Sequence, residues 1–202
     1  MYKIIKVKGN WKEELKFYED NCDRNYLNKT LKTIKKKNKW KTLNKHNIVH
    51  HRQNIRRNSR GFIDPKTMPT LEKLRKLIGL DDCQLLILRY LQGETNLYHR
   101  DYIPSYDHKE RKGVKLKKHD RPFNHDYERI LLMLEDRAPG QFMQIGNKMI
   151  NNWKAGELYI YDGKDVFHSA GNCGDSPRLV LRITGKPTNA YKKFLSRKEI
   201  KI

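Results

Sequence analysis

Leu97-Tyr98-His99-Arg100-Asp101-Tyr102-Ile103 reads as a β-strand, and its alternation sets the terms for the rest of the chain. Successive strand side chains point to opposite faces, so His99 and Asp101 project together while Arg100 projects away. An imidazole and a carboxylate on one face become a metal site once a second imidazole is brought beside them. Val166-Phe167-His168-Ser169 offers that imidazole. Two histidines and one carboxylate on one face of a metal leave three positions open, an arrangement typical of non-haem Fe(II). Competing acid–histidine pairs occur at His108-Lys109-Glu110, His119-Asp120 and His125-Asp126. All of them fall in the charged stretch 104–126, which has no strand pattern, so they are expected at the surface or against substrate.

Outward from this stretch, short apolar or alternating runs are bounded by turn residues at Gln84–Tyr90, Leu97–Ile103, Glu128–Leu134, Gln141–Ile145, Lys148–Trp153, Glu157–Tyr161, Asp165–Ala170 and Arg178–Thr184. Gly146-Asn147 is a two-residue hairpin signal between two of them. Strands of this number with short connections predict a helix-backed β-barrel or jelly roll. The last run places Arg178, Val180, Arg182 and Thr184 on one face and Leu179, Leu181 and Ile183 on the other. A leucine face packed under helices would leave the arginines lining a polar barrel interior. A leucine face turned inward would send them to solvent, and the alternation alone fits both.

Ahead of the strands, Leu71, Leu74, Leu77 and Ile78 form a helical stripe that begins near Thr70 and that Gly79 can end. Pro65 and Pro69 suggest a boundary before it. Trp11, Leu15 and Tyr18 have helical spacing, as do Leu27, Leu31 and Ile34. The chain therefore divides into a basic, partly helical N-terminal region (1–69), a core with its preceding helix (70–186) and a basic tail (187–202).

The 202 residues suffice for one substantial core. The apolar share of 37 % is low enough that some segment is expected to be all surface. No run is long enough to cross a membrane and no secretory leader is expected. Three cysteines, Cys22, Cys83 and Cys173, without C-x-x-C spacing fit free thiols in a reducing compartment, so a cytoplasmic protein is expected. Net charge is +21, and residues 29–60 hold twelve Lys or Arg with no Asp or Glu among them. Such a field attracts polyanions, although a lysine- and asparagine-rich composition also follows from AT-rich coding. Contact with nucleic acid through residues 29–60 is therefore an open expectation. His46, His50 and His51 lie in this region without acidic or cysteine partners and are expected to be solvated.

The core resembles the 2-oxoglutarate- and Fe(II)-dependent dioxygenases, whose fold is a double-stranded β-helix, a jelly-roll, cupin-like barrel. The family pattern of His-x-Asp, a distal His and a later Arg or Lys is met by His99-Arg100-Asp101, His168 and Arg178. Leu88-Arg89-Tyr90-Leu91-Gln92-Gly93 is similar to the approach to the iron motif in prolyl hydroxylases. Trp153-Lys154-Ala155-Gly156-Glu157-Leu158-Tyr159-Ile160-Tyr161 is similar to the strand leading to the distal histidine. His168-Ser169-Ala170-Gly171-Asn172 resembles the corresponding turn in several branches, the aspartyl/asparaginyl hydroxylases among them. The resemblance spans residues 83–186 and leaves the first seventy residues unexplained.

It implies a mainly β fold with supporting helices and Fe(II) held by His99, Asp101 and His168. It also implies 2-oxoglutarate and O2 as co-substrates, with Arg178 clamping the distal carboxylate as a planar fork. Tyr90 stands where prolyl-hydroxylase-like enzymes place a co-substrate-binding tyrosine, and Arg182, two inward steps from Arg178, is a second co-substrate or substrate contact. Asn172 is expected to shape a turn. The implied reaction is hydroxylation with release of succinate and CO2. The expected substrate is a protein side chain. The alternatives are a nucleic-acid base, or a non-catalytic nucleic-acid-binding protein on a barrel scaffold.

Overall fold

The computed structural model describes residues 2–20, 60–62, 68–101 and 127–202. Among these residues the strands form two sheets. The larger contains β1 (Lys3–Lys8), β2 (Arg60–Phe62), β3 (Leu80–Tyr90), β5 (Glu128–Met133), β8 (Glu157–Ile160), β10 (Arg178–Pro187) and β11 (Glu199–Lys201), in the order β11-β1-β8-β5-β10-β3-β2. The smaller contains β4 (Glu94–His99), β6 (Gln141–Ile145), β7 (Lys148–Ile150) and β9 (His168–Asn172), in the order β4-β9-β6-β7. From β3 to β10 the chain passes back and forth between the sheets, and these strands pair with one another antiparallel. This winding is a double-stranded β-helix, the jelly-roll core expected from the strand pattern.

The two faces of β10 settle the question that its alternation left open. Leu179, Leu181 and Ile183 belong to a core between the larger sheet and the helices, together with Leu71, Leu74 and Phe194. Val180 belongs to a second core between the sheets, with Met133, Met143, Trp153 and Tyr161. The arginine face of β10 therefore looks into the barrel. Strand β5 repeats the division, with Ile130 and Leu132 under the helices and Leu131 and Met133 inside.

Residues 12–20 form helix α1, Pro69–Ile78 helix α2 and Asn189–Leu195 helix α3. Helix α2 starts at Pro69 rather than Thr70, and no side-chain cap comes from its own N-terminus. Its first N–H groups are met instead by the buried Glu14 carboxylate of α1, which accepts from Thr70 N at 2.6 Å and Leu71 N at 3.2 Å. A carboxylate suits both the unpaired donors and the positive end of the helix dipole. Gly79 ends α2 with φ 74°, and a Cβ there would lie 2.7 Å from Tyr191 N, so glycine is required on both counts.

Two further corrections concern the ends of the chain. Residues 3–8, expected within a partly helical arm, form a strand antiparallel to β8. Residues 199–201, expected within a tail, pair in parallel with β1 and complete the sheet edge. Both strands are short and at least half charged, which is why the sequence pattern passes over them. The helical spacing at Leu27–Ile34 and the loop 104–126 lie outside the described residues.

Candidate metal centre

His99 is the last residue of β4 and His168 the first of β9, and the antiparallel register sets them directly opposite one another. Their rings are 4.5 Å apart between centroids. An irregularity in the ladder between Asn96 and His99 precedes this pairing. Asp101 is not on the strand, which stops at His99. Its position is set from outside the ladder, by its N–H donating to Gly163 O at 2.6 Å and by Arg129 Nη1 donating to its Oδ1. Strand alternation is thus not what aligns Asp101 with His99; the loop after β8 is.

One ligand atom from each of His99, Asp101 and His168 can be chosen so that all three lie within 4.8 Å of one another. Among the described residues, no other group of three His, Cys, Asp or Glu side chains is so arranged. His168 Nδ1 sits 3.1 Å from Val166 O, and a carbonyl only accepts, so Nδ1 carries the proton. The Nε2 lone pair is left facing Asp101 Oδ2 at 3.7 Å. Burial holds the His168 pKa below that of an ordinary histidine, against a smaller opposing pull from Asp101. Asp101 Oδ2 is buried and has no hydrogen-bond partner. Two imidazoles and an orphaned carboxylate oxygen converging in a buried place fit a divalent cation, because its charge satisfies both the lone pair and the oxygen.

Arg178, at the start of β10, is paired with Tyr90 in the β3–β10 register and is only 2 % exposed. Its guanidinium packs over the rings of Tyr90, 4.9 Å from the centroid, and Trp153, at 5.1 Å. Nη2 is 4.0 Å from Met143 Sδ, a weak acceptor, and Nε is buried without a partner. Burial pulls its pKa down from the usual arginine value. Among the described residues it forms no ion pair with a carboxylate. The Tyr90 hydroxyl accepts from Asn96 Nδ2 at 2.6 Å, which leaves its own proton to donate. Arg182 shares the inward face of β10 and is half-buried, opposite Leu86 and Leu131 in the ladders.

Four residues outside the expected set complete the surroundings. Arg129 holds Asp101, Trp153 covers Arg178, and Tyr161 packs edge-on against His168 with ring centroids 5.0 Å apart. Gly163 leaves room beside the carboxylate. Burial, and then the Asp101 charge, push the Tyr161 pKa above the ordinary phenol value. Arg129 alternates inward on β5 with Leu131 and Met133, a parity legible in the sequence once β5 is known to line the barrel. Gly163 announces nothing until Asp101 is placed. The fully buried Asn172 shapes the turn into β10: Nδ2 donates to Tyr90 O at 3.0 Å and Ser176 O at 2.8 Å, and Oδ1 accepts from Gly174 N at 3.0 Å. The pairs at His108–Glu110, His119–Asp120 and His125–Asp126, and His46, His50 and His51, lie outside the described residues.

No family model matches the sequence, and no match exists among curated proteins. Among solved structures the chain is similar to a Pseudomonas putida prolyl-4-hydroxylase, at 15 % identity over 64 % of this chain and 72 % of that one, with a TM-score of 0.45. It is similar to the viral collagen prolyl hydroxylase of Paramecium Bursaria Chlorella virus-1 in its 2OG complex, at 12 % identity over 62 % and 77 %, with a TM-score of 0.42. A cupin protein from Bacteroides fragilis matches at 16 % identity over 64 % and 78 %, with a TM-score of 0.36. The assignment of a double-stranded β-helix rests on the strand order itself.

Proposed function

We propose that this protein is an Fe(II)- and 2-oxoglutarate-dependent dioxygenase that hydroxylates its substrate. The observation that carries the reading is an orphaned carboxylate oxygen and a buried guanidinium without a carboxylate in one barrel. Asp101 Oδ2 is buried with no donor, and Arg178 is buried with no carboxylate. A metal cation answers the first and an anionic co-substrate the second. A buried polar atom left without a partner costs on the order of 1–3 kcal/mol, and a buried cation without an anion costs more, so each implies a ligand.

His99, Asp101 and His168 would hold the ion on one face, leaving the opposite positions for co-substrate and O2. When bound, iron and 2-oxoglutarate supply the oxidising chemistry, in which O2 and 2-oxoglutarate become succinate and CO2 and one oxygen atom enters the substrate as a hydroxyl. Arg178 would take the distal carboxylate of 2-oxoglutarate through its fork, oriented by the flanking rings of Tyr90 and Trp153. The Tyr90 hydroxyl adds a donor to the same carboxylate, and Arg182 stands further along the same face for co-substrate or substrate. Trp153 and Tyr161 exclude water from the Arg178 and His168 sides. The Val166 carbonyl keeps the His168 proton on Nδ1, so the nitrogen facing the ion stays unprotonated.

The proposed substrate is a protein side chain, the alternatives being a nucleic-acid base or nucleic-acid binding without catalysis. Contact with nucleic acid through residues 29–60 belongs to the same proposal. The test is succinate formation by purified protein supplied with Fe(II), 2-oxoglutarate and O2, screened for stimulation by basic-protein extracts and by nucleic acids. Stimulation by protein alone supports the reading; stimulation by nucleic acid alone replaces its substrate. Absence of any iron-dependent turnover of 2-oxoglutarate refutes the chemistry.

A further inference from the structure

We infer that Arg129 fixes Asp101 as a one-oxygen ligand, and so keeps open a position at the metal that a two-oxygen carboxylate would occupy. The inference rests on the metal-centre reading and adds a positioning residue to it.

Asp101 lies beyond the end of β4, so the ladder does not orient its side chain. Arg129 Nη1 takes Oδ1, and this leaves Oδ2 unpartnered and 3.7 Å from His168 Nε2. Arg129 is itself tied down. It projects inward from β5 directly opposite Thr184 of β10, whose Oγ1 accepts from Nε at 3.3 Å. A guanidinium held at Nε as well as Nη1 resists following the carboxylate if the carboxylate turns. On the other side the main chain comes close: Asp101 N donates to Gly163 O at 2.6 Å, and a side chain at Gly163 would collide with the carboxylate, its Cβ 2.5 Å from Oδ2 and 3.3 Å from Cγ. The carboxylate is thus set between Arg129 and the Gly163 backbone, with one oxygen committed to a charged hydrogen bond and the other presented to the histidines. Carboxylates ligate through one oxygen or two, and a charge-assisted bond to the far oxygen favours one. Lysine at this position would offer the charge without the second attachment to Thr184.

The test uses the full-length protein with Co(II), whose visible spectrum reports coordination number and geometry. Wild type, Arg129→Gln, Arg129→Lys and Thr184→Val are titrated with the metal alone and then with 2-oxoglutarate, and thermal melting is recorded alongside. Arg129→Gln is expected to change the Co(II) spectrum and to weaken Co(II) binding by roughly 10- to 100-fold, the usual loss for a residue that orients a ligand. Arg129→Lys should restore the spectrum in part. Thr184→Val keeps the charge and shifts spectrum and affinity the same way by less, and it decides the matter should Arg129→Gln not fold. A lowered melting temperature with wild-type spectrum and affinity overturns the inference and leaves the metal centre standing. A wild-type protein that takes up no Co(II) overturns the metal-centre reading and this inference with it.

Discussion

A guanidinium enclosed by two aromatic rings and a thioether is a poor resting place for a charge. Arg178 occupies one because the Tyr90 and Trp153 faces return part of the lost hydration, each cation–π contact contributing on the order of 1–2 kcal/mol when desolvated. Arg178→Ala is therefore expected to leave Fe(II) affinity near wild type while raising the 2-oxoglutarate concentration needed for half-maximal turnover by roughly 10- to 100-fold, matching about 1.5–3 kcal/mol for a charged hydrogen-bonded contact. If Arg182→Ala alone produces that effect, the clamp has been assigned to the wrong arginine. His168 carries a second prediction. Burial lowers its pKa in the folded protein relative to about 6.5 in an unfolded chain. The metal-free fold then binds its proton less readily than the unfolded chain does. The His168 contribution is present in full above about pH 6.5 and is lost as pH falls from there through the lower folded value. Urea denaturation of metal-free protein between pH 7.5 and 5 should show this decline, and His168→Gln should flatten it; an equal slope in both would place the acid sensitivity elsewhere.

Strand β10 shows at the scale of an element what was legible and what was not. Its alternation separated Leu179, Leu181 and Ile183 from Arg178, Val180 and Arg182 in the sequence, and both sets kept their company in the fold. Which set faced the barrel depended on helices α2 and α3 covering the other face, information that no single strand contains. The Gly146-Asn147 hairpin was readable for the opposite reason: it is local, and Gly146 does take a positive φ of 56° between the paired strands β6 and β7. The cap of α2 was not legible, because Glu14 lies 56 residues away from Thr70 in sequence. His99 and His168 were nominated by pattern, whereas the coil position of Asp101 and its tie to Gly163 depend on the loop after β8. Leu181→Ala, at a fully buried position under the helices, should cost about 2–5 kcal/mol in chemical denaturation while metal binding per folded molecule stays unchanged. A loss below about 1 kcal/mol would mean that the outer core is not packed as described.

Across the whole molecule, the chain ends belong to the barrel's larger sheet. Strand β1 lies between β8 and β11, so removing residues 1–8 unpairs both neighbours and is expected to destabilise the fold. Deleting residues 1–69 would therefore confuse a loss of nucleic-acid binding with a loss of structure. The better test neutralises the lysines of 29–45 to glutamine in place and follows RNA or DNA binding against salt. A shallower salt slope supports a role for that segment, and an unchanged slope removes it. Among the described residues no helix is long and apolar enough to cross a membrane. The claim on which all else depends is that His99, Asp101 and His168 hold a metal that creates the 2-oxoglutarate site. Anaerobic calorimetry of 2-oxoglutarate into wild-type protein and His168→Ala, each with and without Fe(II), tests it most directly. One 2-oxoglutarate is expected to bind tightly per wild-type chain only when Fe(II) is present, with no metal-dependent binding in His168→Ala. Full Fe(II) uptake by His168→Ala, or binding of 2-oxoglutarate indifferent to the metal, would contradict it.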